Sequence, residues 1–475
     1  MKNALLVGIV SLLATSISQA QLTGTLDQVI SPVRPIIDRA PSDLNTIREQ
    51  ARQKLQSSVK DAGALSTLSV DILDSIPTPR FTVPAAKTIL SASGQKIIDE
   101  IVVENGFLAV EKEWLFLGEE ADKVHFHNTH FTIVKAQYLP AFSQWLFKVK
   151  VTGNEDEVLH IRNSLPEKLQ SQIGRNHIYL SQSGNEINER ETKLKQQITA
   201  PTHKLRSQVC STPLRIGMVD THVSPTHPSL SHLTLSQASF IKGQQLDSNI
   251  PGNVDDSKAL VNTSNTQYES APFSSEHGTA VASLLAASLP QSSQLFNASV
   301  FYSRNSISQG ATLMSLIEGL NYLASQHVDA INMSLAGPDN PILARIIKQL
   351  DKQGIQIIAA VGNEGPASLP LYPAAYPETL GITAVDNAHV IYRWANQGDH
   401  VDFAALGVSV DVAHPSGKTV RQTGTSMASP RATALYACFL REEKGRNSAL
   451  VALKQSAFDA GSPGRDRVFG FGILP

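Results

Sequence analysis

The sequence has little cysteine, almost no net charge and few long apolar runs. Its 475 residues include only Cys210 and Cys438, without the Cys-x-x-Cys or His-rich spacing that is typical of a metal site. The two cysteines could form one disulfide or remain two buried thiols, and the sequence leaves both readings open. The 40 Lys and Arg residues against 42 Asp and Glu give a net charge of −2, so we expect no nucleic-acid partner.

The main apolar run lies at the start of the chain. Residues 4–14 are almost all apolar, Lys2 precedes them, and small residues stand at Ser18 and Ala20. This run is shorter than the roughly 18 to 20 residues that a membrane helix needs. The pattern therefore predicts a signal peptide over residues 1–20, export to the periplasm or the medium, and no membrane anchor.

Composition then changes along the chain and predicts several segments. Residues 21–95 are rich in Ser, Thr, Gln, Pro and Ala and are interpreted as a weakly ordered lead-in. Residues 96–186 show the order strand, helix, strand, strand, helix, strand, with the first helix over 119–126, which favours a small ferredoxin-like α+β domain. Residues 187–212 are polar and basic and are interpreted as a linker.

The remaining segment, 213–475, alternates short apolar strands with helical stretches. This alternation predicts an α/β domain with a mostly parallel sheet and helices on both faces. Right-handed crossovers place the carboxyl ends of parallel strands at one edge of the sheet, where ligands bind in such folds. Polar side chains at those ends are therefore the candidates for function.

Four residues occupy such positions. Asp220 follows the apolar strand 214–219, and Asn363 follows the strand 356–361. His277 opens a helix that is rich in small residues, and Ser426 lies at or just before another helix N-terminus, where unpaired N–H groups favour a developing negative charge. Together they supply a carboxylate, an imidazole, an amide donor and a hydroxyl.

The segment around each of these residues, and their order along the chain, resembles the subtilases, the subtilisin-like serine peptidases. The resemblance covers about residues 212–472 and implies a catalytic triad of Asp220, His277 and Ser426, with Asn363 in the oxyanion hole. It also implies a set of substrate-binding residues. These are Ser334, Leu335, Ala336, Gly337, Ala360 and Gly362.

The same resemblance implies an exported serine endopeptidase that acts on protein or peptide substrates as a monomer. The small residues Ala336, Ala360 and Gly362 would leave room for a large apolar side chain at P1, the residue before the cleaved bond. We expect no required cofactor. Structural calcium is common in the family, but Asp255 and Asp256 are weak candidates and assign no site.

Subtilases often carry an N-terminal propeptide, so the small domain is interpreted as an intramolecular propeptide. On this hypothesis residues 21 to about 205 form a pro-region, with cleavage in the 187–212 linker. A retained accessory domain is the alternative. The resemblance also implies a cis proline in the turn Tyr372-Pro373-Ala374.

Two residues depart from the family pattern. His222 stands two residues after Asp220, where glycine is usual, and Ala336 replaces another usual glycine. Two other functions stay open, the first of them because of strain at His222. One is a subtilase-fold binding protein with impaired catalysis, and the other is an inhibitor or chaperone whose active part is the N-terminal domain.

Overall fold

The computed structural model describes residues 86–90, 94, 96–126, 130–153, 156–182, 210–241, 275–304 and 308–475. The chain divides into two units, one of Met1–Lys87 with Glu100–Leu108 and the other of Thr88–Asp99 with Ala109–Pro475. Strands β1 (Lys87–Leu90) and β2 (Lys96–Val102) cross the boundaries of these units. The predicted signal peptide, most of the lead-in and the linker up to residue 209 lie outside the described residues, as do Asp255 and Asp256.

The small domain is an antiparallel sheet with the ferredoxin-like strand order β4-β5-β3-β6. Its strands are β3 (Leu108–Gly118), β4 (Phe131–Leu139), β5 (Gln144–Val151) and β6 (Ile173–Ser181). Helix α1 (Val158–Asn163) precedes β6. The predicted helix over 119–126 is instead a 3₁₀ helix, Glu120–Phe126, which buries only Phe126. One buried side chain in seven residues provides no apolar stripe to stabilise an α-helix.

The second domain is built on a parallel sheet with the order β16-β15-β14-β12-β7-β9-β8, which confirms the predicted α/β architecture. The sheet contains β7 (Arg215–Asp220), β8 (Thr234–Ser239), β9 (Gln294–Ser299), β12 (Ala330–Met333), β14 (Gln356–Ala360), β15 (Thr379–Val385) and β16 (Phe403–Leu406). The strands outside this sheet that follow β9 are β10 (Tyr302–Ser303), β11 (Gln309–Thr312), β13 (Leu335–Ala336), β17 (Val410–Ala413) and β18 (Thr419–Gln422).

Helices cover both faces of the parallel sheet. They are α2 (Glu276–Ser288), α3 (Leu313–Ser325), α4 (Pro341–Lys352), α5 (Thr425–Glu443) and α6 (Arg446–Ser456). Alternate residues of a strand point to opposite faces. Ile358 therefore packs in the core that contains α2 and α5, whereas its neighbours Ile357 and Ala359 pack in the core that contains α3 and α4.

Helices α2 and α5 run through the interior because their sequences are dominated by small and apolar residues. Nearly every residue of α5 from Thr425 to Phe439 is buried. A disulfide joins Cys438 on this helix to Cys210, which resolves the alternative that the sequence left open. None of the described helices is long and apolar enough to cross a bilayer.

Candidate active site

The turn after β7 and the start of α2 hold an aspartate and a histidine side by side. Asp220 is fully buried at the carboxyl end of β7, and its Oδ1 lies 2.7 Å from His277 Nδ1. Asp220 Oδ1 also accepts a hydrogen bond from the Thr221 backbone N–H at 2.7 Å. The Thr221 backbone N–H therefore helps to orient the carboxylate that contacts the imidazole.

Glycine at position 278 allows α2 to approach this turn closely. The Gly278 N–H donates to Thr221 Oγ1 at 2.8 Å, and a Cβ at position 278 would lie 2.5 Å from the Thr221 carbonyl oxygen. His277 precedes this contact by one residue, so the contact fixes the imidazole relative to Asp220. The other ring nitrogen of His277, Nε2, is buried and has no hydrogen-bond partner among the described residues. It is thus free to accept a proton.

Ser426 is the second residue of α5 and is fully buried. Gly424 precedes the helix with φ of 151°, a backbone conformation that favours glycine. Ser426 Oγ donates a hydrogen bond of 2.6 Å to the carbonyl oxygen of Gln182, the residue that follows strand β6 of the small domain. The described chain itself therefore places a peptide carbonyl at the serine hydroxyl.

Asn363 donates to the same carbonyl from another direction. Its Nδ2 lies 2.6 Å from the Gln182 oxygen. Its Oδ1 accepts from the Thr425 N–H at 3.1 Å and from Thr425 Oγ1 at 3.0 Å, and these two bonds fix which way the amide points. An amide held in this way is pre-organised to stabilise negative charge on the carbonyl oxygen.

The predicted substrate-binding segment contacts β6. Strand β13 pairs antiparallel with it, Leu335 opposite Ser181 and Ala336 opposite Leu180, and the Ser334 carbonyl accepts from the Gln182 N–H at 3.3 Å. Gly337 faces Tyr179, where an added Cβ would lie 2.5 Å from the Tyr179 ring. The structure therefore brings Ser334, Leu335, Ala336 and Gly337 next to β6 and Gln182.

The other two predicted substrate-binding residues are placed differently. Ala360 ends β14 and is fully buried. The Gly362 backbone bonds to the Thr425 hydroxyl and to the Asn396 N–H. These Gly362 contacts support the loop that carries Asn363, and they do not involve β6.

His222 fits its turn without strain, because it is not among the described residues with positive φ. Gln237 Nε2 lies 3.2 Å from His222 Nε2, and Gln237 also bonds to both backbone groups of Val223. Burial lowers the pKa of His222 below its usual value. The imidazole is therefore held as a neutral acceptor beside the triad turn.

Two further features bear on the sequence predictions. The Tyr372–Pro373 bond is cis, and the Tyr372 backbone bonds to Gly337 in both directions. Among the described residues, the one cluster of metal-ligand atoms is Cys210, Cys438 and Glu442, whose two sulfurs are joined in the disulfide.

The subtilase family model matches residues 212–472, more than half of the chain. The chain belongs to the subtilase family. It contains a parallel sheet with helices on both faces and a second, antiparallel sheet. The match begins near Cys210 and includes Asp220, His277, Asn363 and Ser426.

Several subtilases are similar to it at moderate identity. Subtilisin of Bacillus pumilus is 31% identical over 268 residues, 54% of this chain and 86% of the subtilisin. Subtilisin E of Bacillus subtilis (strain 168) is 31% identical over 264 residues, which cover 62% of that protein. Minor extracellular protease Epr of the same strain is 28% identical over 165 residues, and the match spans only 26% of its length.

Two solved protease structures are similar to this chain at low identity. The chain matches the prenylagaramide maturation protease PagA with a TM-score of 0.43 and 20% identity, over 57% of this chain and 92% of PagA. It matches a lanthipeptide protease with a TM-score of 0.44 and 17% identity, over 55% of this chain and 85% of the other.

Sequence reasoning missed two residues of the subtilase site, Gln182 and Thr425. Gln182 carries no motif, and it reaches Ser426 only because β6 pairs with strands more than a hundred residues away in sequence. Thr425 directly precedes Ser426, yet its bond to Asn363 spans 62 residues. A small hydroxyl residue beside a candidate nucleophile was the available signal for Thr425.

Proposed function

We propose that this subtilase is an exported serine endopeptidase that forms an acyl-enzyme on Ser426. One observation carries the proposal: the carbonyl oxygen of Gln182, an internal residue of the chain, lies 2.6 Å from both Ser426 Oγ and Asn363 Nδ2. A site that accepts a carbonyl from the middle of a polypeptide is suited to internal peptide bonds. This supports endopeptidase rather than terminal cleavage.

Each side chain then has a role that follows from its position. Ser426 Oγ attacks the peptide carbonyl while His277 Nε2 takes its proton, and Asp220 orients the imidazole and stabilises its charged form. Asn363 Nδ2, with the Ser426 backbone N–H, stabilises the oxyanion. His277 next delivers the proton to the departing amine, and a water molecule, activated by the same imidazole, releases the acyl group. This chemistry requires no cofactor.

The contacts of the small domain support its proposed role as an intramolecular propeptide. Lys135 forms an ion pair with Glu318 on α3, and Asn176 Oδ1 accepts from the Met314 N–H at 3.0 Å at the start of the same helix. With β6 in place, Ser426 is fully buried. The domain would therefore block access of any other substrate until it leaves, as a zymogen requires.

Active-site labelling with a fluorophosphonate tests the proposal. Protein from which the small domain and all residues before it have been removed should be labelled. The Ser426→Ala variant of the same protein should not be labelled. Ser429→Ala is the matched control, since Ser429 is a buried serine on the same helix, bonded to Asn332, and should leave labelling intact. Folded wild-type protein that takes up no label would refute the peptidase proposal and favour a binding protein.

Export and processing are tested separately. N-terminal sequencing of the protein recovered outside the cytoplasm should find neither residues 1–20 nor the small domain. An intact chain that begins at Gln21 and is fully active would contradict the zymogen proposal and favour a retained accessory domain.

A further inference from the structure

Strand β6 continues from the small domain into the cleft and ends at the reacting groups. Its residues Ile178, Tyr179 and Leu180 pair antiparallel with β11, and Leu180 and Ser181 pair with β13. Leu180 is thus held between the two strands, and the backbone pairing continues on the β13 side as far as Gln182, whose N–H bonds to the Ser334 carbonyl. An extended peptide bound in this way is aligned by its main chain and selected by its side chains.

From this geometry we infer that the chain cleaves itself between Gln182 and Ser183, and that its cleft selects glutamine at P1 and tyrosine at P4. The inference rests on the proposed function. It differs from the sequence prediction, which placed cleavage in the 187–212 linker and a large apolar side chain at P1.

The position of one carbonyl assigns the bond. The Gln182 oxygen accepts from the groups assigned to the nucleophile and to the oxyanion hole, and the Gln182 N–H bonds to the Ser334 carbonyl, so the residue is anchored on both sides of its Cα. Attack by Ser426 Oγ on the carbonyl carbon of Gln182 forms an ester and breaks the C–N bond to Ser183. The Ser183 nitrogen takes the proton carried by His277. Hydrolysis of the ester then leaves a carboxylate on Gln182.

The Gln182 side chain has a partner for each of its polar ends. Its Oε1 accepts from the Asn363 backbone N–H at 2.9 Å, and its Nε2 donates to the Leu180 carbonyl at 3.2 Å. The residue is 5% exposed. An apolar side chain of the same length would leave the Asn363 N–H buried without this acceptor. The free-energy cost of that unpaired donor makes the site disfavour a substrate with an apolar residue in place of glutamine.

Tyr179 occupies the P4 position, three residues before Gln182. It is fully buried, its ring lies against Gly337, and its hydroxyl donates to the Pro338 carbonyl at 3.0 Å. Burial, together with the nearby Asp339 carboxylate, raises the pKa of Tyr179 well above its usual range, so the hydroxyl remains a donor. Phenylalanine would fill the same space and lose this bond.

Processing of the full chain tests the bond. Wild-type protein should yield an N-terminal fragment that ends at Gln182, and Ser426→Ala should yield none. Gln182→Met, which keeps the side-chain length without the acceptor, should slow processing roughly tenfold. Gln172→Met is the matched control on the same domain, because the Gln172 side chain donates to the nearby Lys168 carbonyl, and this variant should process at the wild-type rate.

Peptide substrates test the selection independently of processing. The matured enzyme should cleave a peptide with the sequence Tyr-Leu-Ser-Gln before the leaving group about tenfold faster in kcat/KM than one with methionine at P1. It should cleave the same peptide a few fold faster than one with phenylalanine at P4.

A fragment that ends anywhere in 187–212, or Gln182→Met processed at the wild-type rate, would overturn the inference and leave the peptidase proposal standing. A preference for methionine or another apolar residue at P1 would do the same. Absence of both processing and fluorophosphonate labelling would instead remove the proposed function on which the inference rests.

Discussion

The orientation of the Asn363 amide gives a quantitative prediction. Asn363 Nδ2 lies 2.6 Å from the Gln182 oxygen, while its Oδ1 is held by the backbone N–H and the hydroxyl of Thr425. Asn363→Ala removes the donor itself. Thr425→Val keeps the volume and the backbone bond but removes the hydroxyl, so it loosens the amide without deleting it. Thr425→Ser retains the hydroxyl and serves as the control.

The magnitudes differ because the two changes act at different distances from the reacting carbonyl. Loss of one donor of an oxyanion hole costs about 2.7–4 kcal/mol, so Asn363→Ala should lower kcat by roughly 10²–10³ with little change in KM. A neutral hydrogen bond contributes about 1 kcal/mol, so Thr425→Val should lower kcat roughly fivefold. Thr425→Ser should remain near the wild type.

The wild type, Asn363→Ala, Thr425→Val and the double variant form a double-mutant cycle. Their steady-state kinetics are measured on one peptide substrate. If Thr425 acts through the amide, its substitution should have no further effect once Asn363 is alanine. Equal fivefold losses in both backgrounds would refute this reasoning and assign Thr425 to the support of α5. Thermal unfolding of each variant provides the check that loss of kcat is not loss of fold.

Three further perturbations have defined outcomes. Gly337→Ala should force the Tyr179 ring aside, at a cost of about 1–3 kcal/mol, and so slow cleavage after Gln182 in the full-length protein; an unchanged cleavage rate would contradict the contact. His222→Gly should not raise kcat, because His222 already has an unstrained backbone, and a large rise would show the reverse. Burial lowers the pKa of His222, so the neutral ring contributes stability that is present above pH about 6.5 and is lost as the pH falls. Between about pH 7.5 and about pH 5 the wild type should therefore lose more unfolding free energy than the glycine variant. Replacing Cys210 and Cys438 by serine should lower the unfolding free energy by about 2–5 kcal/mol in chemical denaturation, and an unchanged midpoint would argue against the disulfide.

The sequence predicted the parallel α/β sheet, and the residues proposed as the triad lie where local patterns end. Asp220 closes a strand of apolar residues, and His277 and Ser426 each occupy the second position of a helix. Such boundaries are visible in a single stretch of chain. The order of these stretches was enough to place them at one edge of the sheet.

What the sequence could not predict depends on pairing between distant segments. Nothing near Gln182 indicates that β6 extends past its own domain, because the strands that hold it, β11 and β13, lie more than a hundred residues later in the chain. The 3₁₀ form of Glu120–Phe126 was missed for a related reason. Its charged residues suit a helix locally, but only Phe126 finds a buried position in the folded domain.

The pairing of β6 with β11 and β13 also bears on what happens after it departs. Both strands would then present unpaired N–H and C=O groups beside Ser426, and an open sheet edge pairs readily with any extended chain that meets it. The strand edges that bind a substrate would therefore also be able to pair with a second copy of the chain. β11 has four residues and β13 only two, so the exposed edge is short. Short edges limit how firmly two molecules can join, while still aligning a peptide long enough to be cut.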